Sequence, residues 1–354
     1  MSALDSGFVK GCALKAGFHK AGVARAEPLD PGPLDRMLAV GAEADMAWLR
    51  TQRAERLDPS RLLPGARSVV VVALSYLEAG GEEPRLAKVA RYARGRDYHR
   101  VMKRGLAALL TSLRERDGEF RAFASADVAP VMEKAWAQRA GLGWVGKNGC
   151  LITPDLGSWV LLATVLLDCD LEPDPPHPER CGSCDACLLA CPTGALVEAG
   201  FVDARRCIAF HTIERRGPIP VEVADRLGPW VFGCDDCQTV CPWNTAAAAR
   251  CHPQLQARPQ QRGLDLDALL VLTPDQYRAR FYGTALARAR FDGLLRNAIL
   301  AAGHAGDRRR LTAVKAHLDS PHEGVRAAAA WAAARLDPQT PAAAARGGSD
   351  LVQR

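Results

Sequence analysis

The sequence predicts an α+β chain of several domains: an α/β domain, a compact cysteine-rich domain and a C-terminal all-helical module. Three observations carry this expectation. Helix-like and strand-like segments alternate up to about residue 170, nine of the twelve cysteines lie from Cys181 to Cys251, and apolar residues recur at helical spacing from about residue 265. The expected divisions are 1–170, 171–255 and 256–336, with 337–354, rich in Pro, Ala and Gly, as a flexible tail.

In chain order, residues 13–24 read as helix and turn. Residues 68–76 read as a buried strand entered through Leu63-Pro64-Gly65, and 97–116 as a long amphipathic helix. A second helix is expected from near Pro130 to just before Gly141, because proline suits the first turn and glycine the residue past the end. Gly143, Gly146 and Gly149 mark a loop, and 159–167 another buried strand. The stiff polar stretch 172–178, with four prolines, ends this domain. Beyond the cysteines, Leu294, Leu295, Ala298, Ile299 and Ala302 share one helical face. Leu311, Val314 and Leu318 share another, on a helix capped by Asp307, and Val325, Ala328, Ala329, Ala332 and Leu336 a third. The last pair resembles one HEAT-type repeat, which must pack on the rest of the protein because one repeat cannot bury its own face.

At 354 residues and 48% hydrophobic composition the chain can bury a large core. The first 21 residues are interrupted by Asp5, Lys10, Lys15 and Lys20, so no secretory signal is expected. The longest apolar runs are far shorter than the roughly 20 residues that span a bilayer. Twelve cysteines without an export signal indicate metal or redox chemistry in a reducing compartment, the cytoplasm, and exclude a disulfide framework. From residue 251 onward there are 15 Lys and Arg against 9 Asp and Glu, an excess equal to the +6 of the whole chain. A basic terminal module on a neutral body suits a polyanionic partner such as nucleic acid, with a solvated Arg-rich surface as the plainer reading.

Cys181, Cys184, Cys187 and Cys191, followed by Pro192, form C-x2-C-x2-C-x3-C-P, the bacterial two-cluster ferredoxin run. Three closely spaced thiolates wrap one 4Fe-4S cube, and the fourth ligates the neighbouring cube. A second set is therefore required, and Cys234, Cys237 and Cys241-Pro242 supply it, with Cys207 upstream. The assignment is Cys181, Cys184, Cys187 and Cys241 to the first cluster, and Cys191, Cys207, Cys234 and Cys237 to the second. A zinc module is disfavoured, since zinc ribbons use two separated C-x2-C pairs. Cys12, Cys150, Cys169 and Cys251 read as ordinary packing residues. Such a ferredoxin-like domain, set between an α/β domain and a basic helical module, suits an enzyme fed by the clusters better than a bare carrier.

Several ordered blocks resemble the epoxyqueuosine reductases of tRNA queuosine synthesis. They are the stretch from Arg91-Tyr92 to Asp97-Tyr98-His99, Asp127 through Pro130-Val131-Met132-Glu133-Lys134, and Gly141-Leu142-Gly143-Trp144-Val145-Gly146-Lys147-Asn148. Further on come Asp203 to Ile208, Thr212-Ile213-Glu214, Gly233 to Gln238, and Cys241-Pro242-Trp243-Asn244. The resemblance covers most of the chain. It implies cobalamin in the N-terminal domain beside the nearer cluster, and reduction of the epoxide of epoxyqueuosine at the wobble position of tRNA. It makes Asp127 the proton donor, where the residues alone suggest a helix cap before Pro130. It also suggests Tyr98, His99, Lys147 and Asn148 as neighbours of cobalamin or substrate. No nucleotide-binding glycine loop is visible, since Gly141, Gly143 and Gly146 follow a helix, so the electrons are expected from a partner protein. The block Arg296-Asn297-Ala298 to Gly303-His304 departs from the family at His304, where asparagine is expected. Arg308, Arg309 and Arg310 are the candidate tRNA contacts. The rivals are a non-catalytic electron-transfer protein and a related cobalamin and iron-sulfur reductase of a small molecule.

Overall fold

The computed structural model describes residues 4–80, 87–262 and 264–337, so most of the expected C-terminal tail lies outside the described residues. Two compact units form, one from Met1–Gly80, Gly95–Arg205 and Asp235–Gln256, the other from Gly81–Arg94, Arg206–Cys234 and Ala257–Arg354. Compactness groups the chain differently from chemistry, because the cysteine-bearing stretch contributes to both units.

The first unit is built on a four-stranded sheet of β1 (Lys20–Arg25), β2 (Ser68–Ser75), β3 (Ala122–Ser125) and β4 (Val160–Leu167) in the order β1-β2-β4-β3. Every pairing is antiparallel, so the alternation of helix and strand does not build the parallel crossovers that an α/β reading implies. All eight residues of β2 are buried, as its unbroken apolar run requires. Val69, Val71 and Ala73 share a core with Trp136 and Ala137 of helix α3 (Glu133–Arg139). Helices α1 (Ser6–Lys15) and α2 (Tyr98–Arg116) pack on each other and touch β1 and β4 respectively. Each buried Val or Leu in this arrangement contributes roughly 1.5–3 kcal/mol.

The long helix forms as its sequence indicates, with Asp97 accepting the His99 N–H as its N-cap. The beginning of the chain corrects the expectation for 13–24. Asp5 caps a helix that ends at Lys15, and Gly17 at φ +95° turns the chain into β1. Pairing with β2 then makes a strand of 20–25, where helix and turn were expected up to residue 24. The expected glycine loop is a hairpin of Trp144–Val145 and Leu151–Ile152, in which a Cβ on Gly143 would lie 2.0 Å from the Ile152 carbonyl oxygen. Helix α4 (Ala186–Ala190) follows in the cysteine run.

The second unit contains helix α5 (Ile208–Ile213) and strand β5 (Trp230–Phe232), which pairs in parallel with Lys88–Val89. Its core is closed by helices α6 (Arg290–Ala305), α7 (Leu311–Lys315) and α8 (Glu323–Leu336). Gly303 allows α6 and α8 to approach, since a Cβ there would come within 2.5 Å of the Trp331 ring. His304 has a structural role, its Nε2 lying 2.7 Å from the Ala224 carbonyl oxygen and its ring against Trp331. Asp307 caps the turn Arg308–Arg310 that leads into α7, and Leu318 falls beyond that helix and is 37% exposed.

Candidate functional site

The cysteine run folds as a turn and a short helix. Gly182 at φ +53° lets the Cys184 N–H reach the Cys181 carbonyl at 3.1 Å, and α4 then carries Cys187. Cys241 stands at the N-cap of Pro242–Thr245. Cys181, Cys184, Cys187 and Cys241 line one cleft together with Ile152, Ala186, Pro242 and Trp243. These are the four cysteines assigned to the first cluster.

The cleft suits a sulfide-rich anionic cube. Burial pushes the Cys187 and Cys241 thiols up, and Trp144 donates its Nε1–H to Cys181 Sγ at 3.4 Å. Trp144 is itself fixed by Trp243 edge-on at 4.9 Å and by a stacked His177 at 5.3 Å. Among the described residues no three His, Cys, Asp or Glu side chains are grouped around a single ion. The thiolates of a cube bind separate irons and stand farther apart than ligands on one ion.

Of the other set, Cys191 leaves α4 in extended conformation and its Sγ accepts the Ala195 N–H at 3.2 Å. Cys207 occupies the N-cap position of α5 and Cys234 follows β5, both in the second unit. Lys147 and Asn148 line the cysteine cleft. Lys147 pairs with Asp185 at 2.7 Å, and the buried Asn148 braces its loop through the Cys150 N–H and the Cys237 carbonyl oxygen.

A second constellation surrounds Asp127. The α3 helix has no side-chain cap, so Asp127 does not cap it. Its carboxylate instead accepts the Tyr98 hydroxyl hydrogen and lies 3.9 Å from His99 Nε2. His99 stacks on Tyr98 with ring centroids 4.1 Å apart, and its Nδ1 lies 2.7 Å from Asp97. The Asp127 side chain remains 64% exposed, open to a reactant. Its backbone is left-handed, φ +58°, a conformation that Asp tolerates better than most residues.

Glu133, which sequence reasoning passed over, accepts the Asp127 N–H at 3.3 Å. Burial, reinforced by the Asp127 charge, pushes its carboxyl up to about 7. Arg56 belongs to the same charge group and is held below its ordinary value by burial. Because the folded value of Glu133 exceeds the unfolded one, its ionisation destabilises the fold as pH rises from the ordinary carboxyl range to about 7. Glu133→Gln is expected to remove this penalty, at most about 3 kcal/mol. Thermal unfolding of parent and variant at pH 5 and pH 8 checks it: the variant gains relative to the parent only at pH 8.

The arginine triplet is less free than its sequence suggests. Arg308 pairs with Asp337 at 3.4 Å and Arg309 with Asp307 at 2.8 Å, both with exposed side chains. Arg310, only 10% exposed, is held by Asp267 at 2.5 Å and Asp307 at 3.1 Å, and so anchors the turn.

Comparison with known proteins decides the family. A 4Fe-4S double cluster binding domain matches residues 180–244, and the family described as "Epoxyqueuosine reductase QueG, DUF1730" matches 56–127. The epoxyqueuosine reductase of Gloeobacter violaceus is 46% identical over 308 residues, covering 84% of this chain and 96% of that protein. This chain belongs to the epoxyqueuosine reductase family. The Pseudomonas aeruginosa epoxyqueuosine reductase is 36% identical and covers 92% of this chain and 93% of its own length. Among solved structures, an epoxyqueuosine reductase with an epoxyqueuosine-modified tRNA-Tyr stem loop matches with TM-score 0.85 and 32% identity, covering 93% of this chain and 90% of that one. That of Bacillus subtilis, with its catalytic aspartate loop swung out of the active site, matches with TM-score 0.86, 32% identity and the same coverage. The double cluster domain identifies the iron-sulfur centres of this epoxyqueuosine reductase family member as two 4Fe-4S clusters.

Proposed function

We propose that this chain reduces epoxyqueuosine to queuosine at the wobble position of tRNA. Alignment with epoxyqueuosine reductases over nearly their whole length, with the double cluster domain inside it, carries the reading. The conversion of the epoxide to an alkene and water takes two electrons and two protons. The clusters relay the electrons one at a time from a donor protein, and Asp127 delivers a proton to the epoxide oxygen as it leaves. Tyr98, donating to Asp127, and His99, held by Asp97, aim the carboxyl.

Cobalamin is the cofactor proposed for the first unit. Val128, 76% exposed beside Asp127, and the half-exposed His99 ring, backed by the buried Tyr98, are the groups that would face a corrin. Lys147 and Asn148 stand at the cysteine cleft on its cluster side. When bound, it supplies a low-potential cobalt centre for the reduction. Asp127 holds the proton, and the α2 N-terminus orients the pocket. No described helix is long and apolar enough to cross a membrane, and with tRNA as the proposed substrate the cytoplasm is the proposed compartment.

Anaerobically purified protein should contain about eight irons with one cobalt, and should convert epoxyqueuosine in tRNA. Full iron without cobalamin binding or turnover would mean an electron-transfer protein. Turnover of the free nucleoside but not of modified tRNA would mean a small-molecule reductase.

The C-terminal helices, a HEAT-type pair in this reading, present Arg308 and Arg309 to the tRNA backbone. Reversing both charges is expected to weaken tRNA binding about tenfold or more and to reduce its salt slope by about 2. Titration at several salt concentrations reads this, with iron and cobalt content unchanged. Unaltered, salt-insensitive binding would make them a solvated surface.

A further inference from the structure

The second unit contains a buried polar network that neither iron ligation nor helix packing explains. Arg296 lies within the apolar helix α6 and is 2% exposed. All five of its N–H donors are used. Nε and Nη2 donate to Asn297 Oδ1 at 3.1 and 2.9 Å. Nη1 donates to the carbonyls of Arg215 and Gly217 at 3.0 and 2.7 Å, and Nη2 also to that of His211 at 2.6 Å. Every acceptor is a neutral oxygen, and burial lowers the guanidinium to about 9. A buried cation without a carboxylate is costly, and a leucine would pack this helix better. What the arginine supplies is a fixed orientation for Asn297 and for the chain after α5.

Asn297 passes that order on. Its Nδ2 donates to the carbonyls of Thr212 and Val231, both at 2.9 Å. Thr212, fully buried, donates its hydroxyl to the Ile208 carbonyl at 2.7 Å and accepts the Gly233 N–H at 3.0 Å. Ile208 directly follows Cys207, and Gly233 directly precedes Cys234. One hydroxyl therefore spans from the residue after one cysteine to the residue before another. Gly233 fits no other side chain, because its φ is +68° and a Cβ would lie 2.5 Å from Ala90 Cβ.

We infer that Thr212, held in place by Asn297 and Arg296, is a positioning residue for the iron-sulfur ligands Cys207 and Cys234. Helix α6 thereby fixes the spacing of two thiolates of the second cluster, and the C-terminal helices serve the electron path as well as tRNA. The inference rests on the assignment of both cysteines to one cluster. Thr212→Val keeps the shape of the side chain and removes the hydroxyl, taking from the Gly233 amide its acceptor and from the end of α5 its tie to that amide.

The expected result is a folded protein whose iron falls from about eight toward about four per chain, one 4Fe-4S cube being lost. The reduced-state electron paramagnetic resonance signal that disappears is the one removed by Cys207→Ala, and the other cluster's signal stays. Thr212→Ser, which restores the hydroxyl, keeps both signals. Should Thr212→Val fail to fold, Thr212→Ala carries the same comparison. Full iron with both signals unchanged in a variant lacking the hydroxyl overturns the inference, as does equal loss of both clusters, which general destabilisation would produce. If Cys207→Ala and Cys234→Ala remove different signals, the ligand assignment has failed. If they remove the same signal and Thr212→Val spares it, the clasp has failed.

Discussion

Asp127→Asn is expected to lower the rate of epoxyqueuosine-tRNA reduction by about 10²-fold or more, the usual contribution of a general acid, with iron and cobalt content unchanged. The substitution isolates the proton. Asn tolerates the left-handed backbone at φ +58° as well as Asp does, and its Oδ1 still accepts the Tyr98 hydroxyl hydrogen. The Asp127 N–H, which donates to Glu133, is a backbone group that the exchange does not touch. Because Asp127 caps no helix, stability should change by well under about 1 kcal/mol, the usual worth of a cap. Single-turnover conversion by variant and parent, matched for cofactor content, reads the effect. Near-normal turnover would assign the proton to another residue or to solvent.

What could be read in the sequence was what local chemistry constrains. The cysteine spacing predicts which thiolates serve one cube, and Cys181, Cys184, Cys187 and Cys241 line one cleft. The runs that became β2 and β4 were legible because strands covered on both faces carry few polar residues. Residues 20–25 were misread because their strand exists only through pairing with a segment some fifty residues away. The basic triplet looked free because two of the carboxylates that pair with it, Asp267 and Asp337, are distant in sequence. Glu133 gave no signal, since its contact with Asp127 requires a left-handed residue and a loop that returns to the helix it precedes. Arg296 and Asn297 stood out in the sequence only as part of a family-like block, because their partners are backbone carbonyls, which no side-chain pattern encodes.

Cys191→Ala is expected to remove the second cluster and leave the first. The reason lies in the end of α4. Cys187 is within the helix and lines the first cleft, whereas Cys191 leaves the helix at ψ 108° before Pro192 and is not among the lining residues of that cleft. Its sulfur accepts the Ala195 N–H, a charge-assisted bond once the thiolate binds iron. Loss of that ligand should lower iron from about eight to about four per chain, since a cube deprived of one of four thiolates is labile. Turnover should fall to background, because the proposed relay runs through both cubes, while binding of the proposed cobalamin should persist. Cys181→Ala should give the reciprocal spectrum. The two variants are compared by iron content and by electron paramagnetic resonance after reduction. Loss in Cys191→Ala of the signal that Cys181→Ala also removes would return the fourth cysteine to the cluster of its own run and overturn the exchange of ligands between the two cysteine sets.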